Sequence, residues 1–342
     1  MSTQPLAISV GDPAGVGPEV AVRAVAVRER DAVVLFGDGA WLRDRALEVG
    51  VDPRRLVSVQ SGGPLPHQDG VVGLAHVSDW PADVVLSRRA TAAGGRVQLL
   101  ALDAAVRATR EGRAAAIVTG PVSKFAVAST GVPFVGQTEH LARAAALGDD
   151  EVTMMFLGPR LRLALVTTHL PVRDVPARLG VPAVVRAALH LREALVRLSR
   201  STTGAPIRLV ISGLNPHAGE DGLFGTEEHD VIEPAVAVLR GRAPFASGEA
   251  TVRGPLPAEM ALRLAVAGDA DGVVLMMHDQ ATIASKLVDW GQAVNVTWGL
   301  PFVRTSVDHG VAYDAAARQT VDPSGMIAAL EMARTLSPGG GE

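Results

Sequence analysis

The stretch LMMHDQATIASKLVDW, residues 275–290, places His278, Asp279 and Lys286 within one strand exit and the helix that would follow it. An imidazole ligates metals or carries protons, a carboxylate orients a neighbour or accepts a proton, and an ammonium neutralises an anion. The chain uses such residues sparingly. Lys124 and Lys286 are the only lysines among 32 basic residues, and Asn215 and Asn295 are the only asparagines. All four stand in segments that follow β-branched runs. Those places ask for what arginine and aspartate do not supply: a compact ammonium whose pKa can be moved, and a neutral amide that both donates and accepts.

Three histidines occupy equivalent places, His169 in TTHLP, His217 in NPHAGE and His278 in MMHDQ. Neutral imidazoles suit zinc, cobalt, nickel or ferrous iron, and three of them leave coordination positions open for a substrate's oxygen atoms. The helical HExxH pattern is absent, which disfavours a zincin-type peptidase. His67, His76, His140, His190 and His229 lack this context and read as surface or packing residues. With no cysteine in the chain, thiolate zinc sites, iron–sulfur clusters, disulfides and cysteine nucleophiles are all excluded. Any metal has to be held by His, Asp and Glu.

The elements that would position these residues follow from the patterning. Short β-branched runs at 6–10, 32–37, 115–120, 152–157, 163–168, 207–212, 272–277 and 293–298 alternate with amphipathic stretches, clearest at 95–112 and 182–199. This alternation predicts an α/β protein with a largely parallel sheet, and 342 residues exceed what one core usually spans, so two domains are expected. Aromatic residues make up only 4%, which suits helices packed on a parallel sheet better than a β-sandwich. In open α/β sheets ligands sit beyond the carboxyl ends of the strands, which is where the unusual residues lie. A net charge of −4 gives no footprint for nucleic acid. Without an apolar run of membrane-spanning length or a basic leader at the N-terminus, no membrane association and a cytoplasmic location are expected.

No dinucleotide fingerprint or Walker A sequence is present. GDPAGVGPE (11–19) has G-x-G without the further spacing, and its prolines favour a rigid turn into a helix start. In TSVDHGVAYDAA (305–316), His309, Gly310 and Asp314 could surround an adenosine.

Taken in order, GDPAGVGPE, TGPVSK, GVPFVGQTEHLA, TTHLPVRDV, GLNPHAGEDGLFGTEE, HDQ followed by Lys286, and VNVTWGLPFVRTSVDHGVAYDAA resemble the signature segments of the 4-hydroxythreonine-4-phosphate dehydrogenase (PdxA) family. The similarity runs from about residue 6 to 335. It implies an isocitrate/isopropylmalate-dehydrogenase-like fold: two α/β/α domains, the first from 1–130 plus 290–342 on the cofactor side, the second from 131–289 on the metal and dimer side. It also implies a substrate cleft between them and a homodimer with shared active sites. By position, His169, His217 and His278 match the family's metal ligands, one of them contributed across the dimer. The ion would be zinc, cobalt, nickel, manganese or magnesium, one per site. Gln137, Thr138, Glu259, Lys286, Asn295 and Arg304 match substrate-binding positions, with Asp279 and Lys286 as catalytic residues. Gly299, His309, Gly310 and Asp314 match the side that binds NAD or NADP. Two departures fall on the substrate side: Gln137 stands where the family usually has histidine, and Glu259 where it usually has aspartate.

The expected reaction is metal-assisted oxidation of a secondary alcohol beside a carbon bearing a carboxylate, with loss of carbon dioxide from the β-keto acid. Substrates in view are 4-phosphohydroxy-L-threonine, D-threonate or D-erythronate 4-phosphate, or a cyclic dihydrodiol carboxylate. A metal-dependent hydrolase or lyase would use the same histidines to activate water and would turn over without nicotinamide. A silent binding protein would tolerate loss of the ligands.

Overall fold

The computed structural model describes residues 4–60, 62–148, 150–198, 205–318 and 321–337. From the N-terminus the elements are β1 (Leu6–Ser9), α1 (Gly17–Val27), β2 (Val33–Gly37), α2 (Gly39–Glu48), β3 (Leu56–Val59), β4 (Val72–His76), α3 (Ala82–Leu86), α4 (Ala92–Arg110), β5 (Ala116–Thr119), α5 (Lys124–Ala128) and α6 (Gln137–Ala144). Then come β6 (Thr153–Leu157), β7 (Arg162–Leu165), α7 (Val175–Arg178), α8 (Val181–Leu198), β8 (Ile207–Ser212), α9 (Glu233–Arg240), β9 (Ala250–Leu256), α10 (Ala258–Ala267), β10 (Gly272–Leu275), α11 (His278–Val288) and β11 (Val294–Trp298). The chain closes with β12 (Val303–Ser306), α12 (Tyr313–Arg318) and α13 (Ser324–Leu336). It forms two compact units, Met1–Asp149 with Leu300–Gly340, and Asp150–Gly299. Helix α6, with Gln137 and Thr138, therefore belongs to the first unit.

In the first unit the strand order is β3-β4-β2-β1-β5-β12, parallel throughout. Strands β1, β2, β5 and β12 are buried at every residue, so both faces of the sheet are covered. Helix α4 supplies Leu102, Ala105 and Val106 to a cluster with Ala7, Val34, Phe36 and Ile117 of the sheet. Its apolar positions recur at helical spacing, and Thr91 caps its start by accepting from Gly94 N at 3.0 Å.

In the second unit the order is β11-β6-β7-β10-β8-β9. Here β6 runs antiparallel to both β11 and β7, while β7, β10, β8 and β9 are mutually parallel. The hairpin between β6 and β7 is fixed by the buried carboxylate of Asp289, which accepts from Leu161 N at 2.8 Å and Arg160 N at 3.3 Å. Phe156, Leu163, Val210, Val273 and Leu275 form the core with Ala261 and Ala265 of α10.

One face of α8 secures the end of β11. Trp298 Nε1 donates to Glu193 at 3.1 Å, the Arg197 guanidinium lies 4.8 Å from the indole centroid, and His190 Nδ1 is 2.9 Å from Thr153 Oγ1. Burial lowers the His190 pKa from its ordinary 6.5; Glu193 opposes this and Arg186 adds to it. The unfolded chain therefore takes up a proton as pH falls through 6.5 while the folded chain resists, so stability declines on that acid limb. His190→Gln should flatten the fall in unfolding free energy between about pH 7.5 and about pH 5.5, followed by urea denaturation. An unchanged slope would show that His190 titrates alike in both states.

Candidate functional site

In the first unit the loops leaving β1, β5 and β12 are sewn together by the buried carboxylate of Asp12. Its Oδ1 accepts from Ala14 N at 2.9 Å, and its Oδ2 accepts from the Tyr313 hydroxyl at 2.8 Å and from Gln98 Nε2 at 3.2 Å. Gln98 Oε1 in turn accepts from Ser123 N at 2.8 Å, and Val16 N donates to Val311 O at 2.9 Å. Burial raises the Asp12 pKa despite these bonds, and burial, ahead of the nearby Asp12 charge, raises that of Tyr313. Gly15 has to be glycine, since a Cβ there would stand 2.5 Å from Val311 O. Beside this loop opens a cavity of about 340 Å³, lined among others by Gly15, Trp41, Arg45, Arg88 and Ala316. His309, Gly310 and Asp314 are exposed around the start of α12, and a side chain at Gly310 would meet nothing within 4 Å.

Arg304 lies on β12, 3% exposed. Its Nη2 donates to Gln137 Oε1 at 2.7 Å and to Thr119 Oγ1 at 2.9 Å. Burial pulls the guanidinium pKa down to about 10, with the Glu139 charge acting against it. Gln137 starts α6 and uses its other end as well, donating Nε2 to Gly120 O at 2.9 Å. The side chain expected to face a substrate anion is thus a brace between the β5 exit and the guanidinium. Thr138 follows it in the first turn of α6, half-buried.

In the second unit β7, β10 and β8 lie side by side, so His169, His278 and His217 emerge from neighbouring strand exits. The rings of His169 and His278 are 5.4 Å apart between centroids and line one cavity of about 110 Å³ with Thr168, Met277 and Asp279. His278 Nδ1 meets Asp279 Oδ1 at 2.8 Å, which favours Nδ1 as the protonated nitrogen and turns Nε2 outward. His217 is exposed, its ring 6.3 Å from that of Phe224. It sits in a run where His217, Ala218, Gly219, Glu220, Asp221 and Gly222 all have positive φ. Left-handed backbone costs each non-glycine residue about 1–2 kcal/mol, so this is a stretch the surroundings must enforce. Lys286 is two turns along α11 from His278, with Thr282 between them on the same face. Asn295 is half-buried on β11, Glu259 is exposed in the first turn of α10, and Gly299, at φ +99, ends the unit.

Among the described residues, the one group of three or more His, Asp or Glu whose ligand atoms fall within 4.8 Å of one another is Asp38, His76 and Asp79, in the first unit. His169, His217 and His278 do not meet that distance in a single chain. The sequence reading took His76 as a surface or packing residue; Asp38 caps α2 by accepting from Ala40 N and Trp41 N and also accepts from Trp80 N. Asp12, Gln98, Thr119 and Tyr313 were missed altogether. One signal was available: Tyr313 is the chain's single tyrosine, rarer than the lysines and asparagines that were noticed.

The family model described as pyridoxal phosphate biosynthetic protein PdxA matches residues 29–333. A 4-hydroxythreonine-4-phosphate dehydrogenase of Burkholderia vietnamiensis is 42% identical over 340 residues, covering 97% of this chain and 96% of the relative. A 4-hydroxythreonine-4-phosphate dehydrogenase of Klebsiella pneumoniae, solved by crystallography, superposes with a TM-score of 0.79 at 30% identity, covering 98% of this chain and 100% of that one. A terephthalate 1,2-cis-dihydrodiol dehydrogenase of Burkholderia xenovorans reaches 0.67 at 30% identity, over 97% and 98%.

The brace at Gln137 generates a stability prediction. Gln137→Leu leaves the Gly120 carbonyl and one guanidinium N–H without that partner and should lower the unfolding free energy by about 1–3 kcal/mol in urea titrations. A loss under about 0.5 kcal/mol would mean that water or a neighbour replaces both bonds.

Proposed function

The chain belongs to the PdxA family, and from that premise we propose that it is a divalent-metal- and nicotinamide-dependent dehydrogenase of a phosphorylated hydroxy acid, 4-phosphohydroxy-L-threonine first among them. The observation that carries the reading is the His169–His278 pair at neighbouring strand exits, with Lys286 two turns down the same helix. The donor set fits a divalent ion: imidazoles at loop starts, one of them oriented by a carboxylate. His169, His217 and His278 would hold it, one of the three reaching across a homodimer. Support for the dimer comes from the exposed apolar residues of α11, Ile283 and Leu287 one turn apart, and from Trp290 just past its end; Leu287 is 80% and Trp290 78% exposed.

When bound, the ion supplies Lewis-acid chemistry at the reacting hydroxyl and the nicotinamide accepts hydride. Asp279, engaged with His278 Nδ1, holds the imidazole in one tautomer. That leaves Lys286 to take the hydroxyl proton and to stabilise the enolate as carbon dioxide departs. Arg304 supplies a braced guanidinium for an anionic group, with Gln137 and Thr138 beside it, while Asn295 and Glu259 offer an amide and a carboxylate to polar groups of substrate. Around the exit of β12, His309, Gly310 and Asp314 have open surroundings suited to the adenosine half of NAD or NADP, and Gly299 completes the cofactor set. Among the described residues no helix is long and apolar enough to cross a membrane.

The deciding experiment follows reduction of NAD and NADP over a panel of phosphorylated and unphosphorylated hydroxy acids, with several divalent metals present. Metal-dependent turnover of a phosphorylated hydroxy acid is expected, and turnover without nicotinamide would replace this reading by a hydrolase or lyase. Lys286→Arg keeps charge but loses the movable proton, so kcat should fall at least roughly tenfold; a near-wild-type rate would reduce the residue to a charge. Mixing His217→Ala with His278→Ala subunits should recover part of the activity that each lacks alone, because one complete site can form per heterodimer. No recovery after demonstrated subunit exchange would place all ligands in one chain.

A further inference from the structure

The left-handed run that carries His217 is closed by short turn bonds, Ala218 N to Asn215 O at 3.1 Å and Gly222 N to Gly219 O at 3.0 Å among them, and its root is tied down by side chains from outside it. Glu228, in the π-helical turn Glu228–Ile232 and 4% exposed, turns its carboxylate back on the root of that loop. Oε1 accepts from Leu214 N at 2.7 Å and Asn215 N at 2.8 Å, and Oε2 accepts from Asn215 Nδ2 at 2.8 Å. The fit is close on both sides, since a Cβ at Gly213 would stand 2.9 Å from Oε1 and one at Gly219 2.8 Å from Oε2. Gly213 and Gly219 bracket His217 because the carboxylate fills the space a side chain would need. From the other direction Gln280 donates Nε2 to Gly213 O at 3.1 Å and accepts from Met276 N at 2.9 Å, so the same root is tied to the start of the helix that begins at His278.

We infer that Glu228 is a positioning residue for His217: its buried carboxylate, acting through Asn215 and the backbone at 214–215, sets where the imidazole is presented. The inference rests on the reading that His217 ligates a divalent ion. Three donors converge on one group, which calls for an acceptor-only side chain; glutamine would turn its own NH₂ toward one of them. Residues that orient ligands typically change metal affinity by roughly 10- to 100-fold when replaced.

The test is cobalt(II) binding to the full-length protein stripped of metal, read by d–d absorption and by chelator competition, in wild type, His217→Ala, Glu228→Gln and Asn215→Ala. Glu228→Gln should lose roughly 10- to 100-fold in affinity and shift the d–d bands while its circular dichroism stays that of wild type. Asn215→Ala keeps both backbone bonds to Glu228 and should show the same changes to a smaller degree. A folded Glu228→Gln protein with wild-type affinity and bands overturns the inference; should that variant not fold, wild-type affinity and bands in Asn215→Ala overturn it instead. His217→Ala separates the two layers. Wild-type affinity there refutes the ligand assignment itself, whereas loss there with no change in the other variants refutes only the role of Glu228.

Discussion

A parallel sheet sends the carboxyl end of every strand to the same edge, and the chemistry of this chain depends on that constraint. Each strand exit delivers one short loop to a common rim, so residues far apart in sequence become neighbours without any local motif. In the first unit the order reverses at β1, with β2, β4 and β3 on one side and β5 and β12 on the other. The loops on either side of that reversal have to separate, and Asp12 ties the β1 exit to the β5 and β12 side through Gln98 and Tyr313. A buried carboxylate is tolerable there because a hydroxyl, an amide and a backbone N–H all point at it, and it is raised in pKa because those bonds do not fully repay its lost water.

The second unit applies the same constraint with one exception. Strand β6 runs against its neighbours, which separates β11 from the parallel group and leaves β7, β10 and β8 as three consecutive parallel exits. A histidine just beyond each exit then gives three imidazoles along one rim. Two of them are adjacent in one chain, and the third stands on a strained loop, so the spacing of the set is governed by what pins the loops more than by the strands. Gln280 is the clearest such pin, since a single side chain serves two strand exits at once.

Much of this was legible in the sequence. Eight strands expected from β-branched runs correspond to β1, β2, β5, β6, β7, β8, β10 and β11, and the two expected helices to α4 and α8. Four strands went unseen: β3 is only four residues long with its two middle residues exposed, β4 carries Gly73, β9 contains Gly254 and Pro255, and β12 is VRTS, with a buried arginine where an apolar residue would have signalled a core strand. Residue rarity and strand-exit position found the lysines, asparagines and histidines. They did not find Glu228, one acidic residue among many, whose distinction is burial and three converging donors, properties that exist only after folding. Nor did they show that Gln137 is occupied at both ends, because that depends on pairing across residues 120 and 304.

The division of the chain has a consequence for its synthesis. The second unit is one continuous insert, whereas the first is interrupted: β12 pairs with β5 through Arg304 opposite Ile117, and everything between them has to leave the ribosome first. Until then β5 is an open edge, with its hydrogen-bonding groups unsatisfied on one side, and Thr119 lacks the guanidinium it will later receive. Long-range parallel pairing is slow, so the nascent protein passes through a period in which the insert can be complete while the first sheet still awaits its last strand. The interval suits protection by chaperones. It also makes the closing segment, and not the N-terminal strands, the step at which a truncated or stalled chain would fail.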